Sequence, residues 1–349
     1  MTPPVHLLSL ATASPPHDLS QAEVLEAAND VFGARFPDFA RMAPVFSHAG
    51  VRDRQFAMPP EWYLQPRNWP ERAAAYDEVA LDLFCAAASS ALAEAGLEGA
   101  DVDVIVTVST TGLSTPSLEA RAMTRLGFRS DALRVPVFGL GCAGGATGLA
   151  LAARLATAQP GSRVLLVCVE LCSLAFQLDS LSKADIVSLA IFGDGAAAAV
   201  LSSRGEGFAT VTGAAEHTWP ETLDIMGWRV EANGLGVILA RALPPFIRKK
   251  IRPAVEQMLA AQRLEVADVD RFLCHPGGMK VIEAIEAAFE LGQGALDHER
   301  EVLADHGNMS SPTVLFILDR ARKAGLPKRS VVAALGPGFT ASTVTLAAA

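Results

Sequence analysis

The chain repeats itself. The stretch LEGADVDVIVTVSTTG begins at Leu97 and returns 167 residues later as LEVADVDRFLCHPGG, which begins at Leu264. Each copy follows an alanine-rich helical segment and reads as helix end, turn and buried strand. Nearly the same offset carries SRVLLVCVE at 162–170 onto RSVVAALGPGF at 329–339, and an offset of 166 carries Cys142 onto Asn308, each at the head of an apolar helix. A duplication of this order restricts the fold more than any single motif does. Helices alternate with continuous Val/Ile/Leu strands, the pattern of an α/β protein whose sheets are covered on both faces. Two such halves packed together predict a five-layered α-β-α-β-α body with equivalent strand ends converging near a pseudo-symmetry axis. The halves are expected at 1–205 and 206–349, divided at SSRGEG (Ser202–Gly207). Pro59–Pro70, rich in Pro and Trp, reads as an irregular surface connection.

Half of the 349 residues are apolar and 19% are charged, the composition of a compact globular chain. The net charge is −9 and the longest basic run is Arg248–Lys250, which argues against a nucleic-acid partner. An acidic substrate such as a coenzyme A ester would need a local basic patch. No charged and then apolar leader pattern opens the sequence. The uncharged span Val135–Ala153 contains one proline and five glycines, so it reads as buried strand plus helix and not as a membrane span. Five cysteines at irregular spacing fit a reduced, cytoplasmic protein better than a disulfide framework.

The chemistry-bearing candidates lie at strand ends. In RVPVFGLGCAGGATGLALAARLA (134–156), Gly139, Gly141 and Gly144 spell a dinucleotide-binding fingerprint, while Cys142 stands where a thiol would feel the positive end of a buried helix. A small buried core cysteine is the plainer reading of Cys142, as it is for Cys85, Cys168 and Cys172. His275, in RFLCHPGG, ends a strand at a Pro-Gly-Gly turn; alternation makes Cys274 face the other way, which counts against a zinc site built from both. Asn308, in DHGNMSSPTVLFIL, is either a helix-capping residue or an amide donor to a developing oxyanion. In AALGPGFT, Gly336–Phe339 follows a buried strand and suits a backbone that approaches a ligand closely. Phe192, before a tight Gly-Asp-Gly turn, fills core or lines a pocket.

Together these segments resemble the type III polyketide synthases, the chalcone-synthase-like branch of the thiolase superfamily, over nearly the whole chain. GLGCAGG is similar to the family's nucleophile loop, CHPGG to its histidine turn, GNMSSPTVLFIL to its asparagine motif, IFGDGAAAA to its gatekeeper segment and GPGFT to its C-terminal loop. The resemblance implies a thiolase-like fold, a Cys142 nucleophile, and His275 with Asn308 as the decarboxylation and oxyanion pair. It implies Phe192 as a gatekeeper between coenzyme A tunnel and cavity, and a cavity shaped by Gly336, Pro337, Gly338 and Phe339, with Ala175, Cys172 and Ser310 among the substrate-binding residues. Arg52 and Arg54, in GVRDRQF, fall near the family's basic segment and are its candidate phosphate contacts. The implied substrates are acyl-CoA and malonyl-CoA, with no metal or redox cofactor and a homodimeric assembly. ELCSLAFQ (170–177) and LDIMGWRVEANGLGVIL (223–239) resemble bacterial alkylresorcinol and alkylpyrone synthases, and the small Ala175 is expected to open a channel for a long acyl chain. The family's partner-inserting methionine before a cis proline falls at Thr115–Pro116 here, so the cross-dimer contact is expected to differ.

Three other readings compete. A dinucleotide-dependent oxidoreductase would use the glycines and Glu170, but it leaves His275, Asn308, GPGF and the duplication unexplained. A cysteine hydrolase shares the order Cys, His, Asn, but Leu140 breaks the nucleophile-elbow pattern. A ketoacyl synthase of the fatty-acid initiation type shares all three residues, and only the GPGF and IFGDG contexts favour the polyketide synthase over it.

Overall fold

The computed structural model describes residues 3–33, 35–36, 38–178 and 182–349. Nine strands form one sheet in the order Arg271–Cys274, Arg329–Gly336, Thr340–Ala348, Ala209–Thr218, Val5–Ala13, Asp194–Ser202, Arg163–Leu171, Val104–Val108, Leu133–Val137. Outward from the central pair, the two sides match strand for strand. Val5–Ala13 answers to Ala209–Thr218, Asp194–Ser202 to Thr340–Ala348, Arg163–Leu171 to Arg329–Gly336, and Val104–Val108 to Arg271–Cys274. Among the described residues, the first half alone carries a further edge strand, Leu133–Val137.

The repeated letters repeat one set of hydrogen bonds. Asp101 accepts from the Glu98 N–H at 2.9 Å, and Asp268 accepts from the Glu265 N–H at 2.8 Å. Asp103 then caps the Arg163 N–H at 2.8 Å, as Asp270 caps Arg329 at 2.7 Å. In both halves the acidic residues satisfy backbone donors at the entry to a buried strand, where an unpaired N–H would be costly.

The two half-sheets meet through only three residue pairs, Val5↔Val211, His6↔Thr210 and Leu7↔Ala209. That slim junction lets them splay around the helices Gly144–Ala158 and Thr313–Gly325. Leu149, Ala153, Val314 and Leu318 pack there between Val106, Leu166 and Leu201 of one half-sheet and Val332 and Val344 of the other. The Trp69–Glu94 and Leu118–Leu126 helices cover the outer face of the first half, and Leu243–Ala260 and Met279–Phe289 that of the second. The alternation is strict along Arg163–Leu171: Val164, Leu166 and Cys168 face the central helices, while Leu165, Val167 and Val169 face the outer ones. The body is therefore the five-layered arrangement.

Local expectations fare differently. Pro59–Pro70 is not wholly irregular, because a helix starts at Trp69, with Asn68 and Glu71 forming a capping box and a proline in the first turn, where its missing N–H is harmless. Leu133–Val137 is a strand but not a buried one; it lies at the sheet edge with Leu133 exposed. Phe192 does not precede a tight turn. It ends the Lys183–Ile191 helix, and Asp194 already begins a strand. The early segment carrying Leu19, Val24, Phe39 and Phe46 packs into the second half's outer core with Phe272 and Leu303, although it belongs to the first half in sequence.

Candidate active site

The strand Leu133–Val137 hands the chain to a single turn, Gly141–Ala143, that feeds the buried helix Gly144–Ala158 and carries Cys142 at its head. Pressed against this turn is the equivalent place of the second half. A Cβ on Gly336 would lie 2.5 Å from the Leu140 carbonyl oxygen, and one on Gly141 would lie 2.8 Å from Pro337. Any side chain at either position would force the two loops apart. Gly141 against Pro337, and Gly144 and Gly145 against Ser311, thus serve contact between halves at the thiol, whereas a Cβ on Gly139 would meet open space.

Asn308 is held by its backbone. Its N–H donates to Ile191 O at 2.7 Å and its carbonyl accepts from the Gly193 N–H at 3.1 Å, bracketing Phe192. Its side-chain Oδ1 accepts from the Ser310 N–H at 2.8 Å and lies 4.0 Å from Cys142 Sγ. The Nδ2 points to Gly277 O, at a long 3.4 Å, in the histidine turn. Ser310 is held at φ +60°, an uncommon conformation for a side-chain-bearing residue, and its hydroxyl interacts with the Cys142 thiol. His275 follows the strand Arg271–Cys274 and donates its N–H to Ala333 O at 2.8 Å. Both of its ring nitrogens are buried and, among the described residues, without a partner.

Burial sets the protonation states. It pulls the His275 imidazole down to about 3, so the ring is neutral. It pushes the Cys142 thiol up to about 11; Glu170 adds to the rise, and Ser310 and Asn308 oppose it. The free site thus holds a neutral thiol and a neutral imidazole. The thiolate expected from the helix end is not the resting state, because desolvation outweighs the few backbone dipoles.

Comparison with known proteins agrees with this arrangement. The family description "Chalcone and stilbene synthases, N-terminal domain" matches residues 68–205, and its C-terminal counterpart matches 210–349. The chain belongs to that family. It is a type III polyketide synthase, 40% identical to a 1,3,6,8-tetrahydroxynaphthalene synthase of Streptomyces peucetius subsp. caesius over 96% of this chain and 91% of that protein. It is 35% identical to a putative chalcone synthase of Bacillus subtilis (strain 168), over 96% of each. The crystal structure of 1,3,6,8-tetrahydroxynaphthalene synthase from Streptomyces coelicolor A3(2) superposes with a TM-score of 0.94 at 29% identity, over 98% of this chain and 99% of that one.

Around the trio this polyketide synthase places a hub that sequence reading assigned no role here. Glu170 is fully buried and accepts from the N–H groups of Thr110 and Thr111 at 3.0 Å, from Thr111 Oγ1 at 2.8 Å and from Ser311 Oγ at 2.9 Å. Thr110 Oγ1 in turn accepts from the Gly141 N–H at 3.1 Å. One carboxylate thereby ties the cysteine loop to the asparagine loop. Burial pushes it up to about 7. The available signal was a carboxylate directly after the apolar run VLLVCV in SRVLLVCVE.

The two arginines part company. Arg54 has no exposed surface and donates to Leu189 O at 2.8 Å, Ala190 O at 3.2 Å and Phe192 O at 3.0 Å. It caps the end of the Lys183–Ile191 helix beside buried Asp194 and exposes none of its donors to a phosphate, so the phosphate-contact expectation is corrected for this residue. Arg52 is exposed, paired with Asp53 at 3.0 Å and with Asp305, on the helix that leads to Asn308.

The remaining candidates divide by position. Phe192 stacks on Trp228 at 5.9 Å between ring centroids. Behind that pair an apolar cavity of about 240 Å³ is lined by Val24, Phe32, Phe56, Ala175, Leu189 and Trp228 among others. Cys172 is buried in the same short turn as Ala175, and the charge of a Cys142 thiolate reaches it. Gly336 and Pro337 meet the cysteine loop, and Gly338 completes the turn. Phe339 instead packs into the core against Trp219 and Phe246 at 5.4 and 5.1 Å. The peptide bond Thr115–Pro116 is cis. Among the described residues no group of three His, Cys, Asp or Glu could hold a metal ion, and no helix is long and apolar enough to cross a membrane.

Proposed function

We propose that this polyketide synthase loads a long-chain acyl group from its coenzyme A thioester onto Cys142, extends it with malonyl-CoA and closes an alkylpyrone or alkylresorcinol ring. The observation that carries the catalytic assignment is the pair of unpartnered, buried His275 ring nitrogens in a site shared with the Asn308 amide and the Cys142 thiol. An unpaired N–H donor and an unpaired acceptor nitrogen are costly in a dry site unless a substrate completes them.

Cys142 gives its proton to neutral His275 as Sγ attacks the thioester carbonyl; the C–S bond to coenzyme A breaks and the departing sulfur takes the proton. Malonyl-CoA then places its thioester carbonyl against His275 and Asn308. The bond to the carboxylate breaks, carbon dioxide leaves, and the electron pair becomes an enolate held by these donors. Its carbon attacks the acyl carbonyl, and the Cys142 sulfur leaves. Each step moves protons and electron pairs between thioesters and three side chains, so the reaction as written draws on no metal or redox cofactor.

The apolar cavity beside Ala175 supports the long starter. Its volume is roughly eight times the ~30 Å³ share of one water in the liquid, room for several methylenes. A second reading, a tetrahydroxynaphthalene-type product built without a long starter, is favoured by the 40% identical relative. Incubation with malonyl-CoA alone and with acyl-CoA of graded length, read by mass, separates them. Alkylated products from long starters are expected, and a naphthalene product from malonyl-CoA alone, indifferent to acyl-CoA, would overturn the first reading.

Arg52 is the arginine of the pair with a surface for a coenzyme A phosphate. Exposed Leu113, Leu133 and Phe138 near the edge strand Leu133–Val137 support a homodimer formed through that face. Five free buried cysteines suit a reducing, cytoplasmic setting.

A further inference from the structure

The sheet's two matching halves differ at one edge, and the difference falls beside His275. In the first half, the strand equivalent to Arg271–Cys274 is Val104–Val108, and Leu133–Val137 covers its outer side through bonds that include Ser109 N–H to Val137 O at 3.1 Å. In the second half Arg271–Cys274 is itself the edge. His275 donates inward to Ala333, but the Cys274 N–H points outward, where no strand receives it. Glu299 receives it instead, with Oε1 at 2.8 Å and the residue fully buried.

Glu299 lies on the helix Asp297–His306, which runs through Gly307 directly into Asn308. A single side chain therefore fastens the strand that presents His275 to the helix that delivers Asn308. Across the site, among the described residues, the other hydrogen bond that joins the same two segments is the long Asn308 Nδ2 to Gly277 O contact of 3.4 Å. An unreceived N–H at this place would be buried, and the chain around it would shift to satisfy it. A shift of an ångström between two groups that hold one enolate costs orders of magnitude in rate.

We propose that Glu299 is a positioning residue for the decarboxylation step: its carboxylate stands in for the missing edge strand and sets His275 against Asn308. The inference rests on the roles given above to His275 and Asn308. It concerns the reach of an acceptor and not charge, which gives it a distinctive signature. Glu299→Gln keeps an oxygen at the same distance and loses the charge; Glu299→Asp keeps the charge and withdraws the oxygen by one methylene.

The test follows carbon dioxide release from malonyl-CoA by both full-length variants, with Cys142 alkylation by iodoacetamide as a control on the other side of the site. Glu299→Gln is expected within about threefold of the parent kcat, and Glu299→Asp lower by about ten- to a hundredfold, with KM for malonyl-CoA and the alkylation rate little changed. Parent-like kcat in Glu299→Asp, or equal loss in both variants, would overturn the proposal. A parent enzyme that releases no carbon dioxide would instead sink the underlying assignment of His275 and Asn308. Should neither variant fold, amide exchange on the parent decides: Cys274 is expected to be protected, and exchange as fast as that of an open sheet edge would refute the role of Glu299.

Discussion

Cys142 Sγ and Asn308 Oδ1 lie 4.0 Å apart, although 166 residues separate them in the chain. They are equivalent positions of the duplication, one at the head of each central helix. The duplication gave each half a loop at the same strand end, and the pseudo-symmetry brings the loops together. On the proposed roles, divergence then fitted one loop to carry a nucleophile and the other an amide donor. Their tasks separate experimentally. Cys142→Ala is expected to abolish polyketide formation yet still decarboxylate malonyl-CoA, while His275→Ala and Asn308→Ala lose decarboxylation by about 10²–10³-fold. Product mass and carbon dioxide release measure the two; polyketide formation by Cys142→Ala would refute the nucleophile assignment.

The neutral resting pair predicts an unusual reactivity profile. With the thiol near 11 and the imidazole near 3, raising the pH should raise the thiolate fraction steadily. Inactivation by iodoacetamide is expected to accelerate about tenfold per pH unit from 7 to 9 with no plateau. An inflection below pH 7 would show a preformed thiolate–imidazolium pair and contradict the burial argument.

Much of this was legible in the sequence, and for an identifiable reason. The duplicated LE-x-AD-x-D stretches repeat because their carboxylates do the same backbone capping twice, so the halves announce themselves. Cys142, His275 and Asn308 follow short strands or turns with glycine, and those local signals survive without knowledge of packing. Arg54 shows the limit. In GVRDRQF its burial cannot be told from the exposure of Arg52, since the carbonyls it caps belong to residues 189–192, far along the chain. Glu170 is hidden for the same reason: its partners come from two distant segments, at Thr110–Thr111 and at Ser311. The edge strand Leu133–Val137 read as buried because its composition is apolar, and composition does not say which side of a sheet is left uncovered.

Arg54 should accordingly matter for stability more than for substrate affinity. Replacing it by Met leaves three carbonyls at a buried helix end and the Asp194 carboxylate without their cation. Removing one member of such a buried charged cluster costs about 3 kcal/mol. Urea unfolding of Arg54→Met is expected to show a loss of that order, with KM for acyl-CoA close to the parent's. A parent-like midpoint combined with a raised KM would restore the phosphate-binding role that the burial denies.

Ala175 offers the sharpest handle on what the enzyme makes. It lines the wall of the 240 Å³ cavity, in the short turn Cys172–Ala175, one residue before Phe176, whose ring packs on Phe56 at 5.7 Å. That packing leaves the turn little room to retreat, so a large side chain at 175 must grow into the cavity. Ala175→Trp is expected to shift the preferred starter to shorter acyl-CoA, by about one order of magnitude in kcat/KM between long and short chains. A lost fit of a single methylene is worth that much, at ~1–3 kcal/mol for each methylene a pocket discriminates. Malonyl-CoA decarboxylation, which the proposed mechanism assigns to His275 and Asn308, should stay unchanged. Competition between acyl-CoA of two lengths, read by product mass, measures the shift, and an unchanged length preference would remove the cavity from the path of the acyl chain.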